Sequence, residues 1–474
     1  MMKKITFILF LALSSSLLTP CKAQYVDLYN FVDSTGAEPF GSLTLFNGLL
    51  YGTAYLGGAN DSGCIFSVDT LGNNYKDIFD FNGANGKQPN SPLTVIGSLL
   101  YGTANGGGAH DSGCIFSVDT NGSGYRDLYD FSGPDGKNPY NALLFSNNVL
   151  FGVADGGAHN LGCVFSIDSN GTGYKKLLDF NITNGEYPLG IILVGTKLFG
   201  TTLIGGAHSL GTIYTVDTTG NNYKDLFDFN STSGGGYEPY GGLTYAGGQL
   251  FGATAYGGAS GYGALFSQDT IGLYHKRLFS FSGTNGAQPE YAGGSPTIIG
   301  NVFYGTTYYG GAHDSGVVFA IDTMGYGYTD LYDFTGPAGA DPEGSLTLSG
   351  NNLYGATALG GTNHVGVVFS FNKSNVTTSI EKLTVGGGQL SVYPNPNSGL
   401  FTISCHPPAG GSQPIVEIYN VLGEKVYFGM LNPPAGGQHD EQIDLSSQPN
   451  GVYLYRVLNQ DGSLLGTGKV LIQK

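Results

Sequence analysis

Residues Leu100–Phe131, LYGTANGGGAHDSGCIFSVDTNGSGYRDLYDF, decide the fold, because this stretch recurs with variations along most of the chain. Its marker is an aromatic residue followed by Gly, any residue and Thr or Ala. It begins at Tyr51, Tyr101, Phe151, Phe199, Phe251, Tyr304 and Tyr354, at intervals of 50, 50, 48, 52, 53 and 50 residues. A period near fifty residues is typical of repeat architectures.

Each repeat predicts four short strands, which in the second copy are Pro92–Ile96, Leu99–Ala104, Cys114–Asp119 and Tyr125–Phe131. Aromatic and β-branched runs bounded by Gly, Asn, Asp and Ser are typical of strands. No segment of the repeat shows the periodicity of a helix. Several units of four strands favour an all-β fold of the β-propeller type.

The strand that ends each repeat also occurs once before the first complete repeat and is missing after the last one. It occurs at Asp27–Phe31, Asp77–Phe81, Asp127–Phe131, Lys176–Phe180, Asp225–Phe229, Arg277–Phe281 and Asp330–Phe334. The first copy precedes the first complete repeat, and no copy follows Val367–Phe371. We therefore expect Tyr25–Phe31 to pair with Val367–Phe371, which closes a seven-bladed ring and removes two exposed sheet edges.

Composition and charge exclude some partners. The 474 residues include 80 glycines and are 41% hydrophobic, which is enough to build a core. The net charge is -16, and removal of residues 1–23 with their three lysines brings it to -19. Because the chain is acidic and has no basic cluster, we expect no binding to nucleic acid or anionic lipid.

Residues 1–23 are predicted to be a signal peptide, with Lys3 and Lys4 before the apolar segment Ile5–Leu18 and a cleavage site at Cys21–Ala23. A lipoprotein signal at Cys21 is the alternative, but Pro20 fits it poorly. No later apolar run is long enough to span a membrane, so none is expected in the mature chain. The other cysteines do not form a disulfide framework, since Cys64, Cys114 and Cys163 share one repeat position that predicts a small buried residue.

The period ends after the seventh repeat. We assign residues 24–374 to the seven-bladed β-propeller, closed by the N-terminal strand, and the polar and then Gly-rich residues 375–388 to a linker. Residues 389–474 have alternating apolar residues and hairpin turns at irregular spacing. This pattern predicts a small Ig-like β-sandwich.

The C-terminal residues resemble the type A C-terminal sorting domain of the type IX secretion system of Bacteroidota. The matching residues are Tyr393–Pro396, Gly399, Phe401, Tyr419–Asn420, Gly423, Asp444–Leu445, Gly451–Tyr453 and Gly468–Val470. The resemblance implies that residues 389–474 are recognised by the type IX machinery and removed after export. The product is then released or attached to the outer cell surface.

The repeats resemble the GloVer tandem-repeat family over roughly residues 25–374. Its blocks match Gly136–Leu143 and Leu100–Phe116. The resemblance supports the fold and implies no activity.

Two sets of acids recur in the repeats. One ends the third strand, at Asp69, Asp119, Asp168, Asp217, Asp269 and Asp322, and the other precedes the closing Phe, at Asp80, Asp130, Asp179, Asp228 and Asp333. The first set predicts Asx turns that cap hairpin NH groups, with cation binding as the alternative. The second set predicts structural hydrogen bonds.

Four histidines share one loop position, which Asn60, Ser260 and Asn363 fill in other copies. They are a potential metal site only if the loops converge, and the Asn and Ser residues indicate a polar turn instead. We therefore expect no metal or cofactor. No nucleophile motif interrupts the repeat, so we do not expect an enzyme.

Three functions remain open. They are a secreted or surface-attached protein that binds a glycan or a surface protein, a glycan-directed enzyme with its site at the propeller axis, and a structural surface component. A pair of non-repeated acids at the axis favours the enzyme. We expect the longer loops to share one face and bind the ligand, with candidate residues Phe40, His110, Tyr140, His159, Tyr187, His208, Tyr240, Tyr291 and His313.

Overall fold

The computed structural model describes residues 25–231, 235–289, 294–373, 390–393, 398–405, 414–420, 423–431, 439–459 and 464–472. The predicted signal peptide and linker lie outside them. These residues form an all-β structure, as predicted, with one 3-10 turn at Asp33–Thr35. In these ranges no helix is long and apolar enough to cross a membrane.

The described residues between 25 and 373 form seven antiparallel sheets. Strand β1 (Tyr25–Asn30) belongs to the last of them. The first three sheets consist of β2–β5 (Thr44–Phe46, Leu49–Ala54, Cys64–Asp69, Lys76–Asp80), β6–β9 (Thr94–Ile96, Leu99–Ala104, Cys114–Asp119, Arg126–Asp130) and β10–β13 (Leu144–Ser146, Val149–Ala154, Cys163–Asp168, Lys175–Asp179).

The remaining sheets of this region repeat the same order of strands, except that the sixth has a fifth strand, because β22 and β23 both pair with β24. The fourth and fifth sheets consist of β14–β17 (Glu186–Val194, Lys197–Ile204, Thr212–Asp217, Lys224–Asp228) and β18–β21 (Thr244–Ala246, Gln249–Thr254, Ala264–Asp269, His275–Ser280). The sixth and seventh consist of β22–β26 (Ala287–Pro289, Thr297–Ile299, Val302–Tyr309, Val317–Asp322, Thr329–Asp333) and β27–β29 (Thr347–Ser349, Asn352–Thr357, Val367–Asn372) with β1.

The N-terminal strand completes the seventh sheet, which confirms the predicted pairing. Strand β1 is antiparallel to β29, with Tyr25 opposite Phe371 and Asn30 opposite Val367. The Tyr25 hydroxyl donates a hydrogen bond to the Ala338 carbonyl at 2.5 Å. In the second sheet the Tyr125 hydroxyl bonds a loop carbonyl in the same way at 2.6 Å. Strand β1 thus occupies the place of a repeat strand in its side-chain contacts as well as in its register.

Apolar clusters join each sheet to the next and the seventh sheet to the first. The cluster of Leu43, Leu50 and Phe66 from the first sheet includes Tyr354 and Val368 from the seventh. Equivalent clusters fill the other six junctions. The core is therefore divided among the junctions, and it continues from the last sheet to the first.

The first strands of neighbouring sheets lie side by side, for example β2 against both β6 and β27. Threonine hydroxyls link them by donating to carbonyls of the next sheet, at Thr44–Leu93, Thr94–Leu143, Thr244–Pro296, Thr297–Leu346 and Thr347–Leu43. The last of these bonds joins the seventh sheet to the first. These links place the first strands nearest the centre of the arrangement.

The two sets of longer loops lie on one face, as predicted. In the first sheet Ala37 of one loop bridges Leu56 of the other. The same kind of bridge joins Lys87 to Gly106, Lys137 to Asp155, Tyr237 to Tyr256 and Ala340 to Leu359. We call this surface the long-loop face and the opposite surface the tight-turn face.

The C-terminal residues form two sheets that share a core. The sheets consist of β30, β31 and β34 (Leu390–Tyr393, Leu400–Cys405, His439–Asp444) and of β32, β33, β35 and β36 (Ile415–Tyr419, Lys425–Met430, Gly451–Leu458, Leu464–Ile472). Phe401 and Ile443 of the first sheet pack in one cluster with Val416 and Val457 of the second.

Candidate functional site

The acids before the closing Phe fix the loops of the long-loop face. The carboxylate of Asp130 accepts a hydrogen bond from the backbone NH of Ala109 at 3.0 Å. The same bond occurs at Asp80, Asp179, Asp228 and Asp333, and Ser280 and Asn30 replace the aspartate in the other sheets. The predicted structural role is confirmed, since each acid holds a Gly-Gly loop of its own sheet.

The acids that end the third strands are structural as well. The Asp69 carboxylate accepts from the NH groups of Leu71 and Asn73 at 2.9 and 2.8 Å, which is the predicted Asx turn. Asp217, Asp269 and Asp322 cap their turns in the same way. Asp119 and Asp168 instead accept from the hydroxyls of the turn residues Ser123 and Thr172.

The four candidate histidines lie on four different loops of the long-loop face. The exposed side chains are those of His110, His159, His208 and His313. At the equivalent position Asn60 donates to the Phe81 carbonyl at 2.9 Å, and Asn363 to the Phe31 carbonyl at 2.7 Å. Among the described residues, no three His, Cys, Asp or Glu side chains are grouped as metal ligands.

The candidate aromatic residues lie at or beside the loop prolines and are only partly accessible. The Phe40 ring packs edge-on against Tyr55, with 5.1 Å between the ring centres. The Tyr140 hydroxyl donates to the Pro188 carbonyl of the next sheet at 3.2 Å. Half-buried side chains occur at Phe40, Tyr140, Tyr187 and Tyr240, and Tyr291 lies outside the described residues.

Acidic residues lie beside the same prolines where the seventh sheet meets the first. Glu343 and Asp341 are 6% and 9% exposed. Burial, with the neighbouring charges of Asp341 and Glu38, raises the pKa of Glu343 to about 8. Burial also raises the pKa of Asp341 and that of Glu38. Glu343 is therefore largely protonated at neutral pH and is able to donate a proton or a hydrogen bond.

A cleft of about 630 Å³ lies on the long-loop face between the fifth and sixth sheets. Its aromatic residues are Tyr256, Tyr262 and Tyr309, of which Tyr262 and Tyr309 are 47% and 41% exposed. The Tyr262 ring lies against the backbone of Gly283, where an added Cβ would be 3.1 Å from the ring. We call this site the tyrosine cleft.

Polar groups line the tyrosine cleft between the aromatic rings. They are the side chains of Ser282, Thr284, Gln288 and Asp314. Asp314 also accepts a hydrogen bond from the NH of Gly310 at 3.0 Å, which holds one wall of the cleft. The cleft thus combines two exposed aromatic faces with amide, hydroxyl and carboxylate groups.

The tyrosines of this cleft were not among the predicted site residues, although they break the repeat. Tyr256 and Tyr309 share a position filled elsewhere by Leu56, Gly106, Ile204 and Leu359. Tyr262 occupies a position filled elsewhere by Ser62, Ser112, Leu161, Leu210, Ser315 and Val365. A search for loop tyrosines that depart from the repeat would have selected all three.

Two family models match the chain. The Gloeobacter/Verrucomicrobia repeat matches residues 16–196 and 154–297, and the secretion system C-terminal sorting domain matches residues 391–473. No curated protein is similar to the chain in sequence. The sorting domain indicates export by the type IX secretion system, so the protein is secreted or lies at the outer cell surface.

Three solved structures are distantly similar. PorZ, a surface component of the type IX secretion system of Porphyromonas gingivalis, is 12% identical with a TM-score of 0.46, over 92% of this chain and 60% of PorZ. A puromycin-hydrolysing peptidase of Mycobacterium tuberculosis is 9% identical with a TM-score of 0.49, over 81% of this chain and 62% of the peptidase. The β-propeller domain of the Pyrococcus furiosus trilobed protease is 10% identical with a TM-score of 0.43, over 71% of this chain and 94% of that domain. The chain spans about three fifths of the length of PorZ and of the puromycin-hydrolysing peptidase.

Proposed function

Because the chain belongs to the Gloeobacter/Verrucomicrobia repeat family and carries a type IX sorting domain, we propose that it is an exported seven-bladed β-propeller that binds a ligand. The sheets at residues 25–373 are the blades, and the C-terminal region is a small Ig-like sandwich that is removed after export. The apolar clusters that continue from the last sheet to the first support a closed ring.

The tyrosine cleft is the observation that carries the proposed binding function. Aromatic rings that line a cleft together with polar groups on a rigid scaffold are common in binding sites. The tight-turn face has a smaller cavity of about 360 Å³ between the third and fourth sheets, whose only aromatic lining residue is the buried Phe151. The long-loop face is therefore the better candidate for ligand binding.

The chemistry of the cleft suits a glycan. The C–H face of a sugar ring packs on an aromatic ring, and sugar hydroxyls pair with groups such as those of Gln288, Thr284 and Asp314. The cleft contains no lysine or arginine among its lining residues, so an anionic ligand is not favoured. A surface protein that presents polar and apolar groups is the other partner class for this face.

A glycan screen with matched variants tests the proposal. The mature chain is applied to an array of bacterial and host glycans, and the best ligand is titrated against Tyr262→Ala/Tyr309→Ala. We expect a loss of at least tenfold in affinity, about 1.4 kcal/mol. The control is Tyr274→Ala on the tight-turn face, where Tyr274 is 73% exposed. Loss of binding only in the control variant contradicts the assignment.

A glycan-directed enzyme is the second candidate, and Glu343 is the observation that favours it. A carboxyl with a pKa of about 8 beside further acids is suited to general acid catalysis. The test is the release of reducing sugar from the glycans that bind. Loss of this activity in Glu343→Gln, with binding retained, favours the enzyme. If no bound glycan releases reducing sugar, only the binding function is supported.

A further inference from the structure

Arg456 of the C-terminal region contacts one turn of the tight-turn face. Its guanidinium donates a hydrogen bond from Nη1 to the Tyr326 hydroxyl at 2.9 Å. The guanidinium carbon also lies 5.5 Å from the centre of the Tyr326 ring. Tyr326 belongs to residues 323–328, which join β25 to β26 and which we call the sixth turn. A hydrogen bond and a cation–π contact between the same two side chains orient the C-terminal region on this turn.

The exposure of the sixth turn departs from the repeat. Its residues Met324 and Tyr326 are half-buried. The two equivalent positions are exposed in each of the first five sheets, at Leu71 and Asn73, Asn121 and Ser123, Asn170 and Thr172, Thr219 and Asn221, and Ile271 and Leu273. Burial also raises the pKa of Asp322, whereas backbone hydrogen bonds lower the pKa of the equivalent Asp69. The sixth turn is therefore covered, and it is the turn that Arg456 contacts.

The side chains that meet this turn come from the outer surface of the second C-terminal sheet. Val416 and Ile418 of β32 belong to the core between the two sheets, so Glu417 points outward. Arg456 lies opposite Glu417 on β35. The Glu417 carboxylate accepts hydrogen bonds from Arg456 and, at 2.7 Å, from Lys425. Although it points outward, Glu417 is only 6% exposed. Burial of a carboxylate is tolerated when it is paired, and Arg456 links this pair to the sixth turn.

Lys276 of the fifth sheet lies beside the same contact. Its ammonium donates a hydrogen bond to the Met324 carbonyl of the sixth turn at 3.3 Å. Burial lowers the pKa of Lys276. The positive charges of Arg456 and Lys425 lower this pKa further, and the Glu417 carboxylate raises it. Charges from the two parts of the chain therefore interact across the contact.

We propose that the sixth turn is a docking surface for the outer side of β32 and β35, and that it holds the C-terminal region on the tight-turn face until the removal proposed above. The partner is the same chain, because β29 ends at Asn372 and β30 begins at Leu390. This short connection keeps the two surfaces at a high effective concentration. The tyrosine cleft lies on the opposite face, so docking leaves it open to a ligand.

Two native lysines, Lys276 and Lys425, report the docking. A short amine-reactive cross-linker is added to the mature chain at low concentration, and the linked peptides of the monomer are quantified by mass spectrometry. We expect a Lys276–Lys425 link in the wild type, with a yield at least about fivefold lower in Tyr326→Asn, because the hydrogen bond and the cation–π contact are lost. Asparagine is the residue of the first and fourth turns at this position, so the turn should still form. The matched control is Thr172→Asn in the third turn, which should keep the wild-type yield.

A second variant tests the contact from the other side. Arg456→Gln removes the contact with Tyr326 but keeps a donor for Glu417, and we expect the same loss of the link. Circular dichroism of each variant checks that the sheets are intact. The proposal is overturned if the wild type forms no Lys276–Lys425 link, or if both variants keep its yield. It is also overturned if the link occurs only in dimers, or if Lys425 links equally to Lys76 of the first sheet, as a merely tethered region would.

Discussion

If the N-terminal strand closes the ring, Phe31 should contribute as much to the free energy of unfolding as the equivalent phenylalanines of the other repeats. Phe31 follows β1 and is 0% exposed. Its ring packs edge-on against Phe66 of the first sheet, with 5.0 Å between ring centres. Phe131 is also 0% exposed and packs edge-on against Phe165 at 5.4 Å. The pair Phe31→Ala and Phe131→Ala therefore compares the closing junction with an internal one.

The expected magnitude follows from burial. Replacing a fully buried phenylalanine by alanine costs about 3–5 kcal/mol, from lost transfer free energy and the cavity that remains. Because the two rings have the same burial and similar aromatic neighbours, we expect the two losses to agree within about 1 kcal/mol. If β1 did not close the ring, Phe31 would lie at a free end of the chain, and its loss would cost far less.

The assay is urea unfolding of the mature chain followed by circular dichroism. The chain contains no tryptophan, so the signal comes from backbone and tyrosine bands. Equal shifts of the unfolding free energy support closure through β1. A loss below about 1 kcal/mol for Phe31→Ala, with the full loss for Phe131→Ala, would refute the reasoning.

Three further variants test the loops, the turns and the C-terminal region. Asp130→Ala should lower the unfolding free energy by about 1–2 kcal/mol and speed amide exchange in the Gly-Gly loop that the carboxylate holds, whereas Asp130→Asn, which keeps the acceptor, should not. Gly122→Ala should lower the unfolding free energy in urea by more than about 2 kcal/mol, which is about twice the effect of Gly97→Ala. Both glycines have a positive φ, but only at Gly122 does an added Cβ clash with a carbonyl oxygen, at 1.8 Å. The ion pairs of Glu417 hold its pKa at about 2, below the ordinary 4.5, so their stabilisation is present above pH 4.5 and is lost as the pH falls toward 2. The stability of the C-terminal region should therefore decrease with falling pH in the wild type and depend less on pH in Glu417→Gln; parallel curves of stability against pH would contradict this.

The sequence predicted the features that depend on the repeat. The one-strand offset located the pairing of β1 with β29, because a copy of the closing strand stands before the first repeat. The Asx turn at Asp69 was equally predictable, since it is formed within one short turn. The shared position of Cys64 indicated a small buried residue, and the side chain is 0% exposed.

The tyrosine cleft was not predicted, for a physical reason. Its walls come from loops of two neighbouring sheets, and the distance between them depends on how the sheets pack rather than on the spacing within one repeat. The burial of the Tyr214 hydroxyl without a hydrogen-bond partner was not predicted for a similar reason, because its surroundings depend on how the sheets pack. Departures from the repeat were visible in the sequence, but their juxtaposition was not.

The measurement that tests the central claim most directly is a crystal structure of the mature chain with the best ligand from the glycan screen. The account predicts density for the ligand on the long-loop face, with a ring packed against Tyr262 or Tyr309 in the tyrosine cleft. Density for the ligand on the tight-turn face, with an empty cleft, would contradict it.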